Sequence, residues 1–284
     1  MSKGRLSNSQ RTTRRSSPVN HRFIGISISG GKTDKTSLAV VEYFPEHEKI
    51  FLARLFDRIK SDEQSSGDTK LLDLIKQYGN SVENVVMDAP LSLPLCLSCQ
   101  LKCPGQEKCN ESHMTWLRTH YKKWNQKKRP HRIFTPYTER CVDAYFNFEM
   151  DEFFHLSHAM GANAAPLLAR TLFLQKRMDL PVIEASPKLS LWRMGTKLKI
   201  AKSVLRTYRQ SSTGEESRAI ILKQMVEKNF TFIYQQDHKM LIDHLPSFEA
   251  FLCAMTGVFH YLGKVEDRPH HFPKEDSWIE IPKL

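Results

Sequence analysis

Apolar and polar positions along the chain predict a sheet first and helices later. Residues 23–30 (FIGISISG), 36–44 (TSLAVVEYF) and 49–59 (KIFLARLFDRI) are rich in β-branched and aromatic positions and read as three strands. Gly30 and Gly31, between the first two, are free to take positive φ and mark a turn. In 68–79, Leu71, Leu72, Ile75 and Tyr78 recur at helical spacing and Gly79 stops the run. Residues 82–90 (VENVVMDAP) form a short apolar run closed by Asp88 and a proline, the pattern of a buried strand. A helix is predicted over 163–178, with Pro166 tolerated in its first turn, and a further short strand over 180–187. From Lys197 onward the pattern is mainly helical. It ends in 246–263, where Phe248, Phe251, Leu252, Met255 and Phe259 share one apolar face. No internal repeat is present. A three-strand meander, a helix and a strand expected to lie parallel to the first predict an α/β fold with a mixed sheet flanked by helices.

With 284 residues the chain suits one large domain or two modest ones, and its 40% hydrophobic content suits a packed core. No apolar run approaches the roughly 20 residues of a membrane span, and the start lacks the apolar core of a secretory signal. The expectation is a soluble, cytoplasmic protein with no membrane partner. The net charge of +11 is uneven. Residues 1–22 carry Lys3, Arg5, Arg11, Arg14, Arg15 and Arg22 and no acid. That tail has little to bury and is expected to be disordered, with 23–284 as the folded domain. It can reach along a phosphate backbone or merely solubilise the chain, and it superficially fits a mitochondrial presequence.

Cys96, Cys99, Cys103 and Cys109 fall within one loop as C-x2-C-x3-C-x5-C. Four thiolates complete a tetrahedral zinc shell, so the loop is expected to hold structural Zn²⁺. His113 could replace Cys109, and an iron–sulfur cluster also uses four cysteines. Cys141 and Cys253 are isolated and expected in the core.

Residues 113–138 contain seven bases and no acid; Lys122, Lys123, Lys127, Lys128 and Arg129 are among them, interleaved with Trp116, Tyr121 and Trp124. Cations engage phosphates and aromatic planes stack bases, a mixture suited to single strands or RNA. The plain alternative buries the aromatics and leaves the lysines solvated. Residues 185–214 are also acid-free, and there Lys199, Lys202, Arg206 and Arg209 follow the spacing of one helical stripe.

The pieces IGISISGGKTDKT, VVMDAPLSLP, TPYTERCVD, VIEASPKLSLW and SFEAFLCAMTGV, in that order, resemble a bacterial family of predicted nucleases with a ribonuclease H-like fold. The resemblance is scattered over most of 23–262; the cysteine-rich and basic segment at 89–137, by its place in the order of elements, is expected to be an insertion. It implies acids from the first strand, the fourth strand and the last helix converging on divalent metal. Asp88 matches the fourth-strand position and Glu249 the final helix, while the first-strand position holds Ser27. A hydroxyl is a poor substitute for a carboxylate bridging two cations. Asp34 in the following turn and Glu184 at the end of its strand are further candidates. Singly, Asp88 reads as a turn cap and Glu249 as a carboxylate in a helix first turn. Together they predict a nuclease using Mg²⁺ or Mn²⁺ on RNA or DNA. A non-catalytic nucleic-acid-binding protein is the alternative that Ser27 favours. A phosphotransferase is a third reading, with Gly30, Gly31 and Lys32 cradling phosphate.

Overall fold

The computed structural model describes residues 20–30, 36–127, 131–149, 156–161 and 164–284. Strands β1 (His21–Ser27), β2 (Thr36–Phe44) and β3 (Lys49–Ile59) form an antiparallel meander. Helix α1 (Gly67–Tyr78) is capped by Ser66, whose hydroxyl accepts from Thr69 N–H. It leads into β4 (Val82–Met87), which is largely buried and pairs parallel to β1, as the apolar run and the order of elements predicted. The predicted strands, α1 and the parallel pairing are thus all present.

The next stretch carries α2 (Leu95–Ser98), α3 (Ser112–Lys127) and α4 (Cys141–Glu149). The chain then returns through α5 (Ala164–Gln175) to β5 (Val182–Glu184), which adds parallel to β4 and completes the order β3-β2-β1-β4-β5. Helices α6 (Pro187–Lys197), α7 (Lys202–Thr207), α8 (Gly214–Glu227), α9 (Gln235–Asp243) and α10 (Leu245–Tyr261) follow. The result is an α/β fold with a five-stranded mixed sheet packed against helices. Among the described residues no helix is long and apolar enough to cross a membrane.

Alternation along β1 divides the core. Phe23 joins the side covered by α10, and Ile24 and Ile26 join the side that holds Leu71 and Ile75 of α1. Helix α10 is more deeply placed than a one-face pattern predicts, for every residue from Ser247 to Phe259 is buried. Gly25 is what lets it approach: a Cβ there would lie 2.0 Å from Ala250 O and 2.2 Å from Ala254 N. Residues from α3, α4 and the C-terminal stretch, including Met114, Trp116, Phe146, Phe272 and Ile281, form a separate apolar cluster.

Three expectations need correction. His21 and Arg22 belong to β1, where Arg22 Nε meets Glu42 Oε1 at 2.6 Å, so the ordered chain begins before residue 23. The remaining tail, residues 1–19, lies outside the described residues. The basic stripe from Lys199 to Arg209 is not one helical face, because Lys199 sits at φ 54° in the break between α6 and α7. Arg209 also leaves the line of Lys202 and Arg206, because α7 ends at Thr207. Trp116 and Tyr121 are buried at 9% and 6% exposure, and half-buried Trp124 stacks on Phe148 at 4.3 Å. Those aromatics hold α3 to its neighbours and do not offer free faces to bases.

Candidate functional site

The parallel pair β1–β4 ends with Asp88 N–H donating to Ile26 O at 3.0 Å, which sets Asp88 alongside Ser27. The close seat of α10 on β1 brings Glu249, in that helix's second turn, to the same end of the sheet. Both acids line a cleft of about 410 Å³, with Ser27 and Glu184 in its wall. Three of the four acids expected from sequence are thus gathered in one place. Asp34, like Gly31 and Lys32, lies outside the described residues. Gly30 packs against α5, where a Cβ would come within 2.6 Å of Leu167 N, and this contact alone accounts for the glycine.

Arg209 closes over the acid pair. Its Nε bonds Glu249 Oε1, its Nη2 stands 3.8 Å from Asp88 Oδ2, and the Tyr208 hydroxyl donates to Glu249 Oε1 at 3.2 Å. Burial first, then the Glu249 charge, hold the Asp88 carboxyl well above its ordinary 3.8; Arg209 and Lys188 oppose that shift. Two carboxylates forced together in a half-buried cleft repel, and a cation relieves them.

Glu184 plays a different part. Its Oε1 and Oε2 accept from Arg140 Nη2 and Nη1, each at 2.7 Å, and Leu91 N–H adds a bond of 2.9 Å to Oε2. Arg140 Nη2 also reaches Asp143 Oδ1 at 2.7 Å, and Nη1 reaches Ser277 Oγ at 3.0 Å. Glu184 is therefore engaged as an anchor of the cleft wall. Arg140, Asp143 and Lys188 line the cleft without having been singled out from sequence. The only signal for the first two was an arginine and an aspartate three apart in TERCVD.

In the cysteine loop, Cys96 Sγ lies 3.5 Å from His113 Nε2, and all four loop cysteines are free thiols. Burial and then Cys109, Cys103 and Cys99 push the Cys96 thiol up to about 11, so the four thiols lie within electrostatic reach of one another. Their donor chemistry fits a thiophilic ion. Among the described residues no three His, Cys, Asp or Glu side chains stand close enough together to hold a metal, at this loop or at Asp88 and Glu249. Cys141 and Cys253 are buried.

Lys122 and Lys123 are exposed on α3, and Lys199, Lys202 and Arg206 are exposed beyond α6. The Lys127 side chain, and Lys128 and Arg129, lie outside the described residues. Compared with family models, curated proteins and solved structures, the chain matches none.

Proposed function

We propose that the protein is a divalent-metal-dependent nuclease of ribonuclease H-like fold, acting on RNA or DNA with Asp88 and Glu249 as ion ligands. One observation carries the reading: residues 161 positions apart in sequence meet at one end of the sheet as a repelling carboxyl pair in an open cleft. The strand order 3-2-1-4-5, with β1 and β4 parallel, supports the fold assignment. Hard carboxylate oxygens suit Mg²⁺ or Mn²⁺, which supply water activation and stabilisation of a leaving oxygen. Glu184 and Arg140 keep the wall rigid, and Arg209 neutralises the pair until a cation takes its place. The exposed Lys122, Lys123, Lys199, Lys202 and Arg206 offer phosphate contacts away from the cleft. The donor chemistry of the four loop cysteines suits one structural zinc, which would have to draw the thiols closer together than they stand.

A second reading has its own support. Arg209 already bonds Glu249 and stands within ion-pair distance of Asp88, and β1 contributes a hydroxyl at Ser27, an arrangement that suits a nucleic-acid-binding protein without catalysis. A screen of single- and double-stranded RNA and DNA with Mg²⁺, Mn²⁺ or EDTA separates the two. Metal-dependent cleavage lost in Asp88→Asn and Glu249→Gln supports the nuclease. Binding without cleavage under every metal supports the second reading.

A further inference from the structure

Three cations line the cleft among the described residues, and two are committed. Arg140 is held by Glu184 and Asp143, and Arg209 by Glu249 and Asp88. Lys188 has neither an ion pair nor a hydrogen bond from its ammonium among the described residues. Its position is unfavourable on local grounds. It stands half-buried in the first turn of α6, where the helix dipole repels a cation. Burial and then Arg209 push its ammonium below the ordinary lysine value, against the pull of Glu249 and Asp88. An unpaired cation kept where burial, dipole and a neighbouring guanidinium all oppose it breaks local rules in the way functional positions do.

Ser186 gives a second, independent sign. It is the N-cap residue of α6 and its side chain makes no capping bond, although serine at that position ordinarily accepts from a first-turn N–H. It too lines the cleft.

We infer that Lys188 and Ser186 form an anion subsite beside the acid pair, which takes a non-bridging phosphodiester oxygen of a nucleic-acid strand. The class of anion rests on the nuclease or nucleic-acid-binding reading above. A lysine supplies a compact charge with three donors, and a serine hydroxyl adds a fourth. The carboxylates of Asp88 and Glu249 repel an entering polyanion, and Arg209 is already spent on them. Among the described residues Lys188 is the remaining cation that can offset this repulsion at the cleft wall.

Fluorescence anisotropy with a fluorescein-labelled single-stranded 12-mer oligodeoxynucleotide, in EDTA and across salt concentrations, tests the subsite apart from catalysis. Lys188→Gln should weaken binding about tenfold at low salt, the loss of one charged hydrogen bond. It should also shrink the slope of log affinity against log salt by about 0.7. Lys188→Arg should restore most of that slope, and Ser186→Ala should cost about threefold without changing it. Among the described residues Lys188 has no hydrogen bond or ion pair to lose, only its longer-range attraction to Glu249 and Asp88, so the variants should melt close to the parent temperature. Inorganic phosphate serves as the second probe. Competition by phosphate that depends on Lys188, with oligonucleotide binding indifferent to it, would overturn the strand assignment in favour of a free phosphate. Parent-like affinity and salt slope in Lys188→Gln would overturn the subsite, even if the parent cleaves nucleic acid. A parent that cleaves nothing while Lys188→Gln loses affinity leaves the subsite standing and removes the nuclease. A parent that binds neither probe overturns both.

Discussion

Arg140 and Glu184 meet as a two-pronged pair, Nη1 to Oε2 and Nη2 to Oε1, both at 2.7 Å and both buried. Such a pair is weak evidence of stability in itself, but removing one member leaves an uncompensated buried charge. Glu184→Leu should therefore cost on the order of 3 kcal/mol, moderated by the bonds Arg140 keeps to Asp143. Urea unfolding checks the loss. A cost under about 1 kcal/mol would show that Arg140 relaxes to solvent and that the wall is not anchored through this pair.

Buried acids set an unusual pH profile. Burial raises Asp88 above 3.8, and burial also lifts Glu139 to about 7 despite a 2.6 Å bond from the Tyr121 hydroxyl. An acid whose folded value is raised binds its proton more tightly when folded. Its contribution is full below the unfolded value and is lost as pH rises through the folded one. Stability should accordingly fall between about pH 4.5 and 7 in the metal-free protein. Asp88→Asn and Glu139→Gln should each raise the melting temperature at pH 7.5, with the gain fading on acidification. A melting temperature that climbs steadily from pH 5 to 8 in the parent would contradict the assignment.

The strands and α1 were legible because each carries its own periodicity, and the apolar run at 82–87 gave away a buried strand, which proves to be paired on both edges. The cleft was legible only in its acids. Arg209 was read as one member of a surface stripe, since spacing carries no sign that Lys199 would take a left-handed φ of 54° before α7 or that α7 would end at Thr207, short of Arg209. The partner of Arg140 lies 44 residues away, at Glu184, so their pairing leaves no local mark. Lysine-flanked aromatics in 113–127 have the same composition whether they stack on bases or on Phe148; only packing separates the two.

That packing makes the two halves of α3 separable by experiment. Trp116→Ala should cost about 3–5 kcal/mol, as a buried aromatic truncation, and leave the salt dependence of oligonucleotide binding unchanged. Lys122→Gln with Lys123→Gln should leave stability within about 0.5 kcal/mol and reduce the salt slope by about 1.4 for a single strand. An unchanged slope in the double variant would remove α3 from the nucleic-acid surface.

The cysteine loop predicts about one equivalent of zinc per chain, measured by elemental analysis of the purified protein. Cys96→Ser combined with Cys99→Ser should abolish it. Zinc content unaffected by that pair, or stoichiometric iron with visible charge-transfer bands, would rule out the four-thiolate zinc site.

Ser27 offers the sharpest test of catalysis. It is buried at the end of β1, beside Asp88 and in the same cleft as Glu249. Ser27→Asp would add a third carboxylate to a pair that already repels, so without metal it should lower the melting temperature. Divalent cation binds the folded cleft and not the unfolded chain, so Mg²⁺ or Mn²⁺ should restore more stability to this variant than to the parent. Under the nuclease reading cleavage should rise with it, because a third hard donor tightens the ion at the cleft. Asp88→Asn in the same background should cancel both gains, since it removes a ligand the added acid needs. Ser27→Asp that is neither destabilised without metal nor preferentially rescued by it would mean that Ser27, Asp88 and Glu249 do not share an ion. The acid pair would then be Arg209's counter-charge and no more.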